Sequence, residues 1–523
     1  MKISTRALAW LLFAGLVVLY HANWTEMVEG DTYVSISTPF ELLETGKTSF
    51  HPDRHPQLFK WRSKPPLQVH DEFRVNRWQE RFAGKSAEEW RASGHLVFNG
   101  PRYFLIESSV QRVYVSTFGP IPGMLLLPLA ATVRAIDRTA PYEFNLKLAV
   151  GKLQGSLFIA GSATLLFLLA LRWSSRRNAL LVAIAYGAGS CVWAISSQSL
   201  WQQSVNQFFL MLGAYFLLGP LRERNAALLA GLAFGAAVAT RATSAIFLLA
   251  VLVYLLVYQR KNASYFLLGA APLPLVIAVY NFHFFGSPIT FAQELVGHDL
   301  ALEKTGSPDL WQTPVLKGLR GLLLSPSRGL LVFSPVFVLS FWGMLRIWRT
   351  QRLIAFRPLV AGVALTMALQ CKWFDWWGGW SYGYRPWLDV MPFLALFMLP
   401  VLDDVLARPL SRVLYGALLA WSVFVQALGA FSYDRTWNER ELFVVEFAEG
   451  RTQALLTEPE ARAVAKSDGG KYLGPSLCNI DFPWCRSRLW SWRDSIILYQ
   501  IQRYNWTRAN RPPTGWYDFN WSP

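Results

Sequence analysis

Apolar positions along this chain gather in long runs instead of alternating with polar ones. The first run, 7–22, follows Lys2 and Arg6, and a polar stretch with many Arg and Pro then extends to about residue 147. Further runs cover about 148–171, 178–198, 205–220, 226–240, 242–258, 263–282, 329–345, 358–371, 387–403 and 413–432. A mostly apolar run of about 17–25 residues is long enough for a helix to cross a bilayer. The pattern therefore predicts an all-α polytopic integral membrane protein with about eleven transmembrane helices, counting the first. The exit of the first run, Tyr20-His21-Ala22-Asn23-Trp24, lacks a small-x-small cleavage site, so the run reads as an uncleaved anchor. Residues 119–137 are apolar but carry Pro120, Pro122 and Pro128, and read as a helix lying along the membrane surface. The expected organisation is a first transmembrane helix at 1–22 and a large first extracytoplasmic loop at 23–147 with juxtamembrane helices. A helical membrane core at 148–432 and a Trp-rich extracytoplasmic region at 433–523 follow.

Composition sharpens the class. Hydrophobic residues make up 53% of the chain and charged residues only 16%, against about 25% charged in soluble domains. A soluble enzyme, a disordered chain and a nucleic-acid binder are all excluded on this balance. The net charge of +16 has a topological use, since cations concentrate in cytoplasmic loops. With the N-terminus inside, the short inner segments hold Arg172, Arg176, Arg177, Arg222, Arg224, Arg260, Lys261, Arg346, Arg349, Arg352, Arg357, Arg408 and Arg412, while the outer turn near 199–204 holds no cation. Treating 119–137 as a span would invert that bias. The C-terminal region then shares the outer compartment with the first loop, where oxidising conditions would let Cys478 and Cys485 close a short disulfide loop. Cys191 and Cys371 fall in or beside apolar runs and read as inert core thiols.

Ionisable groups at the ends of apolar runs are the informative ones, because a charge near hydrocarbon is retained only with a reason. Four clusters qualify. In Gly30-Asp31-Thr32-Tyr33, Asp31 fits either a general base for an acceptor hydroxyl or a turn and cap residue; His70 and Asp71 of the first loop are the next candidate bases. Arg241, between two short runs, fits either a phosphate-binding fork or a snorkelling interfacial cation. Ser325-Pro326-Ser327-Arg328-Gly329 is a small-residue turn with one arginine, able to approach an anion or merely to punctuate the chain. The fourth, from Lys372 to Trp387, interleaves five tryptophans and three glycines with Asp375 and Arg385, more than an aromatic belt requires. No Walker loop, paired zinc-ligand motif or Cys-x-x-Cys occurs in the sequence.

At these residues the chain resembles a bacterial member of the GT-C superfamily. These polytopic glycosyltransferases use polyprenyl-phosphate sugars, and the resemblance is to the group related to protein O-mannosyltransferases and lipid A aminoarabinose transferases. It is carried by Gly30-Asp31, by Tyr114 to Pro128, by Ala230-Gly231-Leu232-Ala233-Phe234-Gly235 leading to Arg241, and by Tyr280-Asn281-Phe282-His283-Phe284-Phe285-Gly286. Leu324 to Leu330 and Trp376-Trp377-Gly378-Gly379-Trp380-Ser381-Tyr382-Gly383 complete it, in that order along one chain. Thr32 stands where many relatives have a second acidic residue, and Ala242 follows Arg241 where many have proline.

The resemblance implies a GT-C fold and an inverting transfer at the outer face of a bacterial inner membrane. Asp31 would be the base and Arg241, Arg328 and Arg385 the holders of the donor phosphate. Tyr33, His283, Trp377, Tyr382 and Tyr384 would contact sugar or acceptor. The implied partners are a membrane lipid donor and a glycan, lipid or protein acceptor. No metal is required if arginines carry the phosphate charge, and Thr32 leaves divalent-metal use open. Two rival readings are a transporter or flippase for lipid-linked glycans and a scaffold in envelope assembly.

Overall fold

The computed structural model describes residues 4–24, 30–63, 96–139, 144–219, 223–448, 450 and 452–510. It is mostly helical. Among the described residues, four helical segments are long and apolar enough to cross a membrane: Asn145–Ala170, Arg260–Phe285, Gln351–Lys372 and Pro409–Ser432. A fifth arises if Arg385–Leu396 and Leu399–Ala407, bent by 60° at their junction, form one broken span. The remaining apolar runs give shorter or interrupted helices, among them Thr5–His21 and Ala242–Tyr258. The run 178–198 breaks after Gly187 into a wide turn at Val192–Ser196, and 329–345 breaks where Ser334 precedes Pro335. Proline cannot donate to the preceding turn and disfavours helical backbone before it, so the second break is local chemistry.

Packing between helices relies on small residues. Helix Glu223–Thr240 lies so close to Arg260–Ala270 that a β-carbon on Gly231 would stand 2.0 Å from the Phe266 carbonyl oxygen, and one on Gly269 2.0 Å from that of Leu228. Lipid-facing helices gain little from burial against each other, and close backbone approach supplies the contact instead.

Helix Gly30–Thr45 follows the first apolar helix and is buried from Thr32 to Glu41. It packs on Ile121–Ile136, the proline-containing segment, which is helical as expected. Their interface, with Tyr33, Ile36, Phe40, Phe104 and Leu126, forms a second apolar core beside the main one. Among the described residues there are also three small antiparallel sheets, which the hydrophobic pattern did not announce. β1 (Phe59–Ser63) pairs with β2 (Leu96–Pro101), and β3 (Leu105–Glu107) with β4 (Tyr114–Ser116). β5 (Glu439–Glu446) runs between β6 (Thr452–Leu455) and β7 (Lys471–Asn479). β5 is rich in the apolar and β-branched residues that suit a pleated surface, with Leu442, Val444 and Val445 buried.

The C-terminal unit is anchored. Cys478 and Cys485 form a disulfide with Cα atoms 5.7 Å apart. Arg488 is buried, its Nε 2.6 Å from Asp494 Oδ2. Ser325 Oγ donates to the Leu489 carbonyl, and Trp380 Nε1 to Asn479 Oδ1, so this unit sits against both the Ser325 turn and the aromatic turn. Trp516 and Trp521 lie outside the described residues.

Candidate functional site

A cavity of about 670 Å³ opens between the Gly30 helix, the turn after β2, helix Ala292–Thr305 and the aromatic turn. Asp31 lies on its wall, in the first turn of its helix, where the helix dipole favours an anion. Its Oδ1 accepts from the Tyr103 hydroxyl at 2.7 Å, and its Oδ2 lies 2.7 Å from Arg385 Nη1. The Arg385 guanidinium stands 5.2 Å from the centre of the Trp201 ring, within cation–π range.

Arg241 lines the same cavity from the break between helix Glu223–Thr240 and the turn Ala242–Ser244, with extended backbone at φ −151°. A buried carboxylate aims it. Asp389 Oδ2 lies 2.7 Å from Arg241 Nη1, while Asp389 Oδ1 accepts from Asn206 Nδ2 at 2.9 Å. Ser244 Oγ in turn donates to Asn206 Oδ1 at 2.8 Å. Asp389 is only 2% exposed and falls in the apolar run 387–403, yet it was not among the expected site residues. Its position was the available signal, as an acid in an apolar segment calls for a partner.

Gly378, Gly379 and Gly383 all have φ between 62° and 77°, which lets the aromatic turn fold back on itself. Asp375 accepts from the Gly379 N–H at 2.8 Å and also pairs with Lys304 at 2.9 Å. Lys304 reaches Asp481 of the C-terminal unit at 2.9 Å as well, tying helix Ala292–Thr305, the turn and that unit together. Burial alone would lower the Lys304 pKa, but the two carboxylates outweigh it and hold the ammonium above the ordinary lysine value.

Asp31, Tyr33, Arg241 and Arg385 are therefore brought together on one cavity. The other expected residues are not. Arg328 is completely buried and its donors are spent on the fold: Nε on the Trp377 carbonyl at 2.8 Å, Nη1 on Ser327 O at 2.8 Å, and Nη2 on Gly379 O and Asn438 Oδ1, both at 3.1 Å. It braces the aromatic turn from beneath and does not reach the cavity, which corrects the expectation that it holds a phosphate. Tyr382 and Tyr384 are likewise buried, donating to the Val425 carbonyl and to Ser334 Oγ, both at 2.7 Å. His283 lies in the last turn of helix Pro272–Phe285, packs edge-on against Phe284 and does not line the cavity. Trp377 lines a separate, smaller cavity. His70 and Asp71 lie outside the described residues.

Sequence reading missed Lys60, Arg102, Tyr103, Trp201 and Lys304, all on the cavity wall. None sits in a motif, and only the tertiary fold assembles them. Among the described residues, no three His, Cys, Asp or Glu side chains group as a metal site. The site can offer a carboxylate at one point and several cations around it, which suits proton removal beside an anionic group. Compared with protein families and with curated proteins, the sequence gives no match.

Proposed function

We propose that this chain is an inverting glycosyltransferase of GT-C type, using a polyprenyl-phosphate sugar at the extracytoplasmic face of a bacterial inner membrane. The proposal includes about eleven spans, with the N-terminus inside. The observation that carries it is Asp31, held between Tyr103 and Arg385 on the wall of a cavity that also presents Arg241.

In this reading the donor enters sideways from the bilayer and its phosphate takes the Arg385 and Arg241 guanidinium groups. Drawing Arg385 onto phosphate releases Asp31 Oδ2 to the acceptor hydroxyl. Asp31 takes the hydroxyl proton and the acceptor oxygen bonds to the anomeric carbon. The carbon–oxygen bond to phosphate breaks, and polyprenyl phosphate leaves with the electron pair. Lys60 and Arg102, also on the wall, add positive potential around the leaving group. Purified chain incubated with a defined polyprenyl-phosphate sugar should release polyprenyl phosphate in step with glycosylated acceptor. Translocation of intact donor across vesicles without cleavage would instead support the flippase reading.

A further inference from the structure

Beside the main cavity lies a second one of about 210 Å³. That is smaller than the ~300–1,000 Å³ of sites for drug-sized ligands and suits a single small ring. Its walls are aromatic: Phe374, Trp376, Trp377 and Trp490. Trp376 meets Trp377 edge-on at 6.0 Å and Trp490 at a 45° tilt at 6.1 Å, so the lining presents ring surfaces at several angles.

Two cations, Lys317 and Arg486, complete the lining, and no carboxylate side chain contributes to it. The Lys317 ammonium is exposed and takes part in no ion pair among the described residues. The Arg486 guanidinium stands over Trp377, 4.4 Å from its ring centre, and its Nη2 donates to the carbonyls of Lys304 and Asp481 at 2.7 and 2.8 Å. Its Nε is buried and has no acceptor.

We infer that this cavity is a second binding site, taking one sugar ring that carries an anionic group. The apolar face of a pyranose would lie on the tryptophans, and its carboxylate or phosphate would meet the Lys317 ammonium in the positive potential that Arg486 adds to the lining. Phe374 lines both cavities, so a glycan with its reactive hydroxyl near Asp31 could place a neighbouring acidic unit here. That role as an acceptor subsite rests on the transferase reading, whereas binding itself does not.

The test is titration of purified full-length chain in lipid nanodiscs with D-glucuronate, D-glucose 6-phosphate and neutral D-glucose, read by tryptophan fluorescence and saturation-transfer NMR. At least one anionic sugar should bind about tenfold or more tightly than glucose, the worth of one charge-assisted contact. Preference for glucuronate identifies a carboxylate source and preference for the phosphate a phosphorylated one. Lys317→Gln, at an exposed position, should weaken that binding about tenfold, and Trp490→Ala should weaken all three sugars. Asp31→Asn should leave it unchanged. Equal binding of glucose and both anions, indifference to Lys317→Gln, or loss of binding in Asp31→Asn would overturn the inference. Binding that persists in a chain unable to transfer sugar would retain the site and remove only the transferase reading.

Discussion

Arg385 Nη1 lies 2.7 Å from Asp31 Oδ2, although 354 residues separate the two along the chain. This pair joins the helix after the first apolar segment to the end of the aromatic turn, across the cavity that both line. It is partly solvent-exposed, with side-chain accessibility of 21% for Arg385 and 16% for Asp31, so an incoming anion can compete for the guanidinium. A fully buried pair would be locked by desolvation.

Arg385→Lys should lower transfer by on the order of 10²-fold, since an ammonium keeps the charge but loses the planar fork that holds phosphate and stacks on Trp201. Steady-state kinetics with a defined donor checks this. Near-normal turnover would make Arg385 a structural cation.

Arg328 carries the opposite expectation. Arg328→Met leaves the carbonyls of Ser327, Trp377 and Gly379 without their donor, so it should lower unfolding stability by at least about 2 kcal/mol. Thermal unfolding in detergent reads the effect. An unchanged melting temperature with abolished transfer would return Arg328 to the chemistry.

These two arginines show how far the sequence was legible. Both stand in small-residue or aromatic turns beside apolar runs, and nothing in either motif tells whether the side chain faces a cavity or its own backbone carbonyls. Asp31 and Arg241 were marked by their place at the ends of runs, and the proline-containing helix Ile121–Ile136 by its apolar pattern. Tyr103 and Lys304 carried no such mark, because their partners Asp31, Asp375 and Asp481 come from distant segments. Run length likewise gave apolar segments without their breaks, as the 60° bend before Leu399 shows.

Asp389→Asn should raise the donor KM more than it lowers kcat, because Asp389 touches Arg241 and does not itself line the Asp31 cavity. The amide keeps the shape but loses the charge that orients the guanidinium. A variant with unchanged donor KM and a fully active site would show that Arg241 is aimed by other contacts.

A pH effect follows from the corner where His55 Nε2 meets Glu41 Oε2 at 2.8 Å, both nearly buried. Burial lowers the His55 pKa below its ordinary 6.5 despite the raising effect of Glu41. Burial pushes the Glu41 carboxyl up, but His55 and Arg54 prevail and leave it below 4.5. For both groups the folded pKa is the lower, so their stabilisation is present above the unfolded values and is lost as pH falls. Amide exchange in helix Gly30–Thr45 should therefore quicken as pH drops below about 6.5 after correction for intrinsic rates, and His55→Gln should remove the upper part of that response. A corrected rate independent of pH from 7 to 4 would contradict this assignment.

The central claim is that Asp31 is the base. The most direct measurement is sugar transfer by purified Asp31→Asn, beside the unaltered chain, with one polyprenyl-phosphate sugar at saturating concentration. The carboxamide can still accept from Tyr103 but cannot take a proton at neutral pH, so kcat should fall by ~10²–10⁴ while the melting temperature stays close to that of the unaltered chain. Transfer within a few-fold of normal by a folded Asp31→Asn protein would contradict the account.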